Sequence, residues 1–167
     1  VVDLSGLVLF DNTWYFLANG QLQNTYTGLA LYDGEGFYVR NGILPLDYNG
    51  IQDYDGSKFL VAAGRVLYTY SGLFENTDGN WYYIANGQVQ TQYTGLAEYD
   101  GAWFYVIEGK LAKNYTGEVS YNGTQFYVEK GMVNENYRWK IAYRNIVDDW
   151  HKKYGKDASY ELIYLNN

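Results

Sequence analysis

The chain has 167 residues, 20% of them aromatic and only 19% charged, with a net charge of −7. This aromatic content excludes a disordered tract. The lack of cysteine excludes disulfides and thiolate metal sites, and no apolar run approaches the ~18 residues of a membrane span. The charge is uneven. Residues 1–137 carry six Lys and Arg against fifteen Asp and Glu, and residues 138–167 carry six against four. An acidic array repels phosphate backbones and anionic lipid surfaces, so nucleic acid is not an expected partner. The sequence opens Val1-Val2-Asp3 without a Met or a signal-peptide pattern, and is expected to be part of a longer protein.

From the first residues the sequence repeats. A Gly preceded by Ser, Thr or Asn recurs at Gly6, Gly28, Gly50, Gly72, Gly95 and Gly117, every 22 residues with one slip of a single residue between Gly72 and Gly95. Residues 5–137 tile into six copies: 5–26, 27–48, 49–70, 71–93, 94–115 and 116–137. A period of this length marks stacked supersecondary units, each too small to bury its own apolar face. Within a copy, Asp100-Gly101 and Asn86-Gly87 typify two turn dipeptides that suit type I′ hairpins, because both central residues need positive φ. At the Asp-Gly turns, two- and three-residue loops both fit. The segments between turns are rich in aromatic and β-branched residues, which favour strands. Each copy is predicted to be a β-hairpin plus a connecting strand.

Columns across the copies separate core from surface. Tyr15, Phe37, Phe59, Tyr82, Phe104 and Phe126 are always aromatic. Leu17, Val39, Val61, Ile84, Val106 and Val128 are always aliphatic, as are Leu22, Leu44, Val66, Val89, Leu111 and Val133. These columns are expected to share one strand face and form the core. The Tyr closing every copy (Tyr26, Tyr48, Tyr70, Tyr93, Tyr115, Tyr137) is expected to form a structural ladder, its hydroxyl reaching solvent or backbone. The opposite strand face reads Trp14, Gly36, Lys58, Trp81, Trp103, Gln125 in one column and Phe16, Tyr38, Leu60, Tyr83, Tyr105, Tyr127 in the next. A position that accepts Trp, Gly, Lys and Gln is not dictated by packing. Its tryptophans therefore suggest aromatic platforms, with Trp14, Phe16, Tyr38, Trp81, Tyr83, Trp103 and Tyr105 as candidate ligand-binding residues.

The sixth copy departs from the pattern, with Glu118 where the others carry Leu or Ile. Beyond it, Trp139, Ala142, Tyr143, Ile146, Trp150 and Tyr154 recur at helical steps. Residues 138–154 are predicted to form a helix covering the end of the array, and 159–165 a strand. The predicted architecture is all-β, a solenoid of six stacked β-hairpin repeats over 1–137. Residues 138–167 form a helical cap or the start of a following domain.

The fifth copy carries a resemblance in Thr94-Gly95, Gly101-Ala102-Trp103-Phe104-Tyr105-Val106, Gly109-Lys110-Leu111 and the Thr116-Gly117 that opens the next. It resembles the cell-wall-binding repeats of Gram-positive surface proteins, the choline-binding and glucan-binding family, over about four-fifths of the chain. That resemblance implies an extracellular hairpin staircase anchoring a parent protein, with its other domains, to wall polymer or glucan. The family usually follows its Thr-Gly with a Trp that walls a choline cage; here the position holds Leu7, Leu29, Ile51, Leu73, Leu96 and Glu118. A quaternary ammonium needs several aromatic faces, so flat stacking on a sugar is the expected mode.

The expectation is a non-catalytic cell-surface module binding polysaccharide or cell-wall polymer, with no cofactor and no metal. The alternative is a spacer or protein-interaction stalk without a carbohydrate ligand. Catalysis is not expected. His151 is the only histidine, and without Cys or a second His the usual nucleophile–base pairs are missing. The acidic residues sit mostly at turns, where Asp is favoured on backbone grounds.

Overall fold

The computed structural model describes residues 4–155; the predicted strand at 159–165 lies outside the described residues. Five of the six copies are built as the sequence predicts, a hairpin followed by a short third strand. In the fifth, the strands Gly95–Tyr99, Ala102–Ile107 and Lys110–Leu111 follow one another antiparallel. Their turns are two residues long, with φ of +50° and +76° at Asp100-Gly101 and +49° and +76° at Glu108-Gly109. Two-residue loops hold at the first turn of every copy but the fourth. There Glu75 pairs with Trp81 across a longer loop, Asn76 to Asn80, and this insertion is the source of the one-residue slip.

The second turn of each copy joins it to the copy before. The Gly109 amide donates to the Tyr93 carbonyl at 2.8 Å, and the Gly109 carbonyl accepts from the Tyr83 amide at 2.8 Å. The same pair of bonds recurs at Gly42, Gly64, Gly87 and Gly131. The residue ahead of each of these glycines is held by the Ser, Thr or Asn that opens its own copy. Thr94 Oγ1, for example, accepts from the Glu108 amide at 3.0 Å, and all six copies show this bond. The short third strand then pairs with the middle strand of the preceding copy. Backbone bonds thus link every copy to the next.

The second copy keeps its bonds to the first but lacks one bond within itself. Elsewhere the residue after the third strand donates to the middle strand of its own copy, as Gln90 does to the Tyr83 carbonyl at 2.9 Å. In the second copy that residue is Pro45, which has no N–H. Its third strand shrinks to isolated bridges between Ile43 and Tyr15 and between Ile43 and Arg40.

The core is not one face repeated. Five clusters lie at the five junctions, and each joins unlike faces. At the junction of copies four and five, Leu73, Trp81, Tyr83 and Tyr93 of one copy meet Ala97, Phe104 and Val106 of the next. The aliphatic column from Val39 to Val128 is therefore fully buried, whereas Leu22 at the outer end of the first copy is exposed.

The helix Arg138–Tyr154 has the predicted bounds. It meets the array by a different face from the one its periodicity suggests. Ile141 is buried, and Arg144 forms a bidentate pair with Glu118, at 2.5 and 2.8 Å. Tyr143, Ile146, Trp150 and Tyr154 are exposed, Ile146 by 67%. Glu118 stands where the other copies carry Leu or Ile, and its partner Arg144 lies on the same side of the helix as the buried Ile141.

Candidate functional site

The middle strand of each copy presents two columns to the following copy, and the structure gives them different work. The column of Phe16, Tyr38, Tyr83, Tyr105 and Tyr127 packs against the closing tyrosine of its own copy, with ring centroids 4.1–5.0 Å apart and planes tilted by 29–56°. Tyr38 is 7% exposed, and Phe16, Tyr83 and Tyr105 are half-buried. Four of the candidate binding residues are therefore packing residues of the junctions. The closing tyrosines carry the ladder expected of them. Tyr70, Tyr93 and Tyr115 donate to the carbonyls of Leu73, Leu96 and Glu118 at 2.5, 2.6 and 2.9 Å. Burial, followed by the Tyr121 hydroxyl, pushes the Tyr93 pKa well above the usual phenol range.

The tryptophan column behaves otherwise. Trp81 lines a cleft of about 220 Å³ with Leu73 of its own copy and Tyr99, Phe104 and Leu111 of the next. Trp14 lines an equivalent cleft of about 290 Å³ at the first junction. Position for position, Leu7, Tyr32, Phe37 and Leu44 stand there for Leu73, Tyr99, Phe104 and Leu111. Leu73 stands where the resemblance places a cage tryptophan, yet Trp81, Tyr99 and Phe104 supply three aromatic walls from two copies. Sequence reasoning missed the tyrosine wall. Its signal is the aromatic residue directly before the Asp-Gly and Asn-Gly turns: Tyr32, Tyr54, Tyr99 and Tyr121.

The clefts differ in how that tyrosine sits. Tyr99 turns its edge onto Trp81, with centroids 4.8 Å apart and planes at 70°. Tyr32 instead lies over the backbone of Gly6, where a Cβ would collide with its ring. Tyr121 lies similarly over Gly95, where a Cβ would come within 3.0 Å. Trp103, beneath Tyr121's copy, is 41% exposed.

The two intervening junctions lack the tryptophan. At Gly36 a Cβ would come within 2.6 Å of Val66 Cγ2, so Val66 fills the space of the missing ring. At Lys58 the cleft is polar. Lys58 pairs with Asp53 at 2.5 Å, and the Lys110 ammonium sits 5.4 Å above the Tyr82 ring. The Tyr82 hydroxyl donates to Asp78, whose pKa is lowered to about 2 by hydrogen bonds from Asn80 and then Tyr82. Among the described residues no group of three His, Cys, Asp or Glu is placed to hold a metal ion. No helix among them is long and apolar enough to cross a membrane.

The family model described as a choline-binding repeat matches residues 5–23, 25–44, 69–90, 92–112 and 114–134, more than half of the chain. Among solved structures, the chain is similar to CbpF, solved in complex with ipratropium. The identity is 23% and the TM-score 0.38, over 79% of this chain and 39% of that one. It is similar to alternansucrase in complex with isomaltotriose at 24% identity and TM-score 0.40, over 78% of this chain and 11% of that one. The choline-binding domain of Spr1274 in Streptococcus pneumoniae is 22% identical, with TM-score 0.33, over 53% of this chain and 98% of that domain. No curated protein matches the chain. The chain spans well under two thirds of the CbpF and alternansucrase chains. It belongs to the choline-binding repeat family.

Proposed function

We propose that this chain, as a member of the choline-binding repeat family, is a non-catalytic cell-surface module that holds a parent protein to cell-wall polymer or extracellular glucan. The ligand would be gripped at the tryptophan clefts between consecutive copies. The observation that carries this reading is the recurrence of one cleft, with the same five positions, at Trp14 and Trp81, together with the exposed Trp103 ring. Trp14 and Trp81 also pack in their junction clusters, but Gly36, Lys58 and Gln125 occupy the same column, so a copy can be built without an indole there. A single aromatic contact is weak, about 0.5–1.5 kcal/mol beyond area burial. Several sites on one polymer multiply that through effective concentration. The parent protein would supply any catalytic activity from its other domains.

The test is retention on insoluble glucans and purified Gram-positive walls. The chain should be retained by one of them, and a Trp14→Ala/Trp103→Ala variant that keeps a cooperative urea-unfolding transition should be released. Equal retention of both proteins moves the site away from the tryptophan column. No retention of either makes the array a stalk.

A further inference from the structure

The Trp14 and Trp81 clefts match at five positions, and the Trp14 cleft adds two lining residues, Leu46 and Arg65. In each, the third strand of the copy beyond reaches back over the cleft's phenylalanine. Phe104 pairs with Met132, and Phe37 pairs with Arg65. The Arg65 guanidinium carbon lies 5.3 Å above the Phe37 ring, and Arg65 joins the lining of the Trp14 cleft. Glu35 holds it there in an ion pair, and both side chains are about half exposed. The Trp81 cleft is lined by Leu73, Trp81, Tyr99, Phe104 and Leu111, with no charged group.

We infer that the Trp14 cleft is a subsite for a neutral sugar residue of the bound polymer, recognised by stacking on Trp14 and by hydrogen bonds from the Arg65–Glu35 pair. This rests on the function proposed above and names the ligand class at one of its clefts. A sugar offers an apolar ring face and a rim of hydroxyls, each both donor and acceptor. Tyr32 lies over Gly6, whereas Tyr99 packs against Trp81 with centroids 4.8 Å apart, and the half-buried Trp14 ring lines its cleft. Arg65 supplies only donors and Glu35 only acceptors, and a vicinal diol matches the two side by side. The same guanidinium already covers the Phe37 face, so that aromatic wall is not open to a second cation. The Trp14 cleft therefore lacks one of the aromatic faces that a quaternary ammonium needs, whatever its neighbours bind.

The experiment titrates isomaltotriose, as a neutral probe, into the full chain by isothermal calorimetry, with choline chloride as competitor. Arg65→Met keeps an apolar stem over Phe37 and removes the donors, and Glu35→Gln weakens the pair without changing its volume. Each should weaken isomaltotriose by about tenfold or more, the usual size of a lost hydrogen bond to a charged group. Lys152→Met on the helix should leave it unchanged, and choline chloride should not displace the sugar. Wild-type affinity in Arg65→Met and Glu35→Gln overturns the inference, as does displacement by choline. If isomaltotriose fails to bind a chain still retained on walls or glucan, this subsite fails while the binding module stands. If the chain is retained on neither, the reading beneath it fails.

Discussion

Every copy but the fourth makes two tight turns from similar dipeptides, and only one of them builds the stack. The Asp-Gly type turns stand at the rim: a Cβ added at Gly34, Gly56, Gly101 or Gly123 meets nothing within 4 Å. The second turns lie in the seam between copies. A Cβ at Gly42, Gly64, Gly87, Gly109 or Gly131 would sit 2.6–2.8 Å from a carbonyl oxygen of the preceding copy. Both sets have positive φ, so local conformation alone does not distinguish them. The difference teaches that glycine serves the rim for its backbone freedom and the seam for its lack of a side chain as well. Free to vary, the rim can shape a surface, whereas the seam can only hold the copies together.

The sharpest way to break this comparison is to substitute one glycine of each kind in the same copy. Gly109→Ala adds backbone strain and a collision with the Gln90 carbonyl, and should cost about 3 kcal/mol. Gly101→Ala has the same φ and open space, and should cost only about 1 kcal/mol. Urea midpoints at constant slope measure both, and equal losses would mean that the seam contact yields without cost. Next comes Tyr93→Phe, which leaves the Leu96 carbonyl without its hydroxyl donor in a half-buried seam. We expect about 1–2 kcal/mol of destabilisation, read from the same midpoints. Thr94→Val removes the acceptor that holds Glu108 at the seam turn. The freed amide is exposed to water, so the loss should be smaller, about 0.5–1 kcal/mol.

The smallest effect expected at neutral pH lies on the rim, at the irregular fourth copy. Asp78 has its folded pKa lowered from 3.8 to about 2 by Asn80 and Tyr82. A lowered folded value means that the carboxylate stabilises the loop above pH 4, and that this stabilisation drains away as pH falls toward 2. The thermal midpoint of Asp78→Asn should therefore lie below that of the parent at pH 7 and converge on it by pH 2. A constant gap across that range would show that the carboxylate's charge is not what orders the loop.

Much of this was legible in the sequence because a repeat lets columns be compared. The fully buried aliphatic column from Val39 to Val128 and the pairing of Val106 with Leu111 follow from period-two alternation and turn length. The helix bounds followed from its 3.6-residue spacing. What escaped was contact between copies. Alternation assigns a residue to a face but does not say what that face meets, and here opposite faces of successive copies pack together. Phe16, Tyr38, Tyr83 and Tyr105 look like surface aromatics in a single hairpin and become junction residues in the stack. Glu118 marked the last copy as atypical, but only its pairing with Arg144 shows which way the helix is turned.

By itself the sequence determined the unit and its number: six hairpins, their turns, and an apolar alternation that one hairpin alone leaves half exposed. It determined this because turn chemistry and strand period are local properties, written within a few residues. The tertiary structure alone decided which unlike faces join and where Trp14 and Trp81 acquire walls from the next copy. It alone brought Arg65, thirty residues beyond Glu35, to the rim of the first cleft. Those are distances between copies, and they are set by the seam bonds and the packing of each junction rather than by any one repeat.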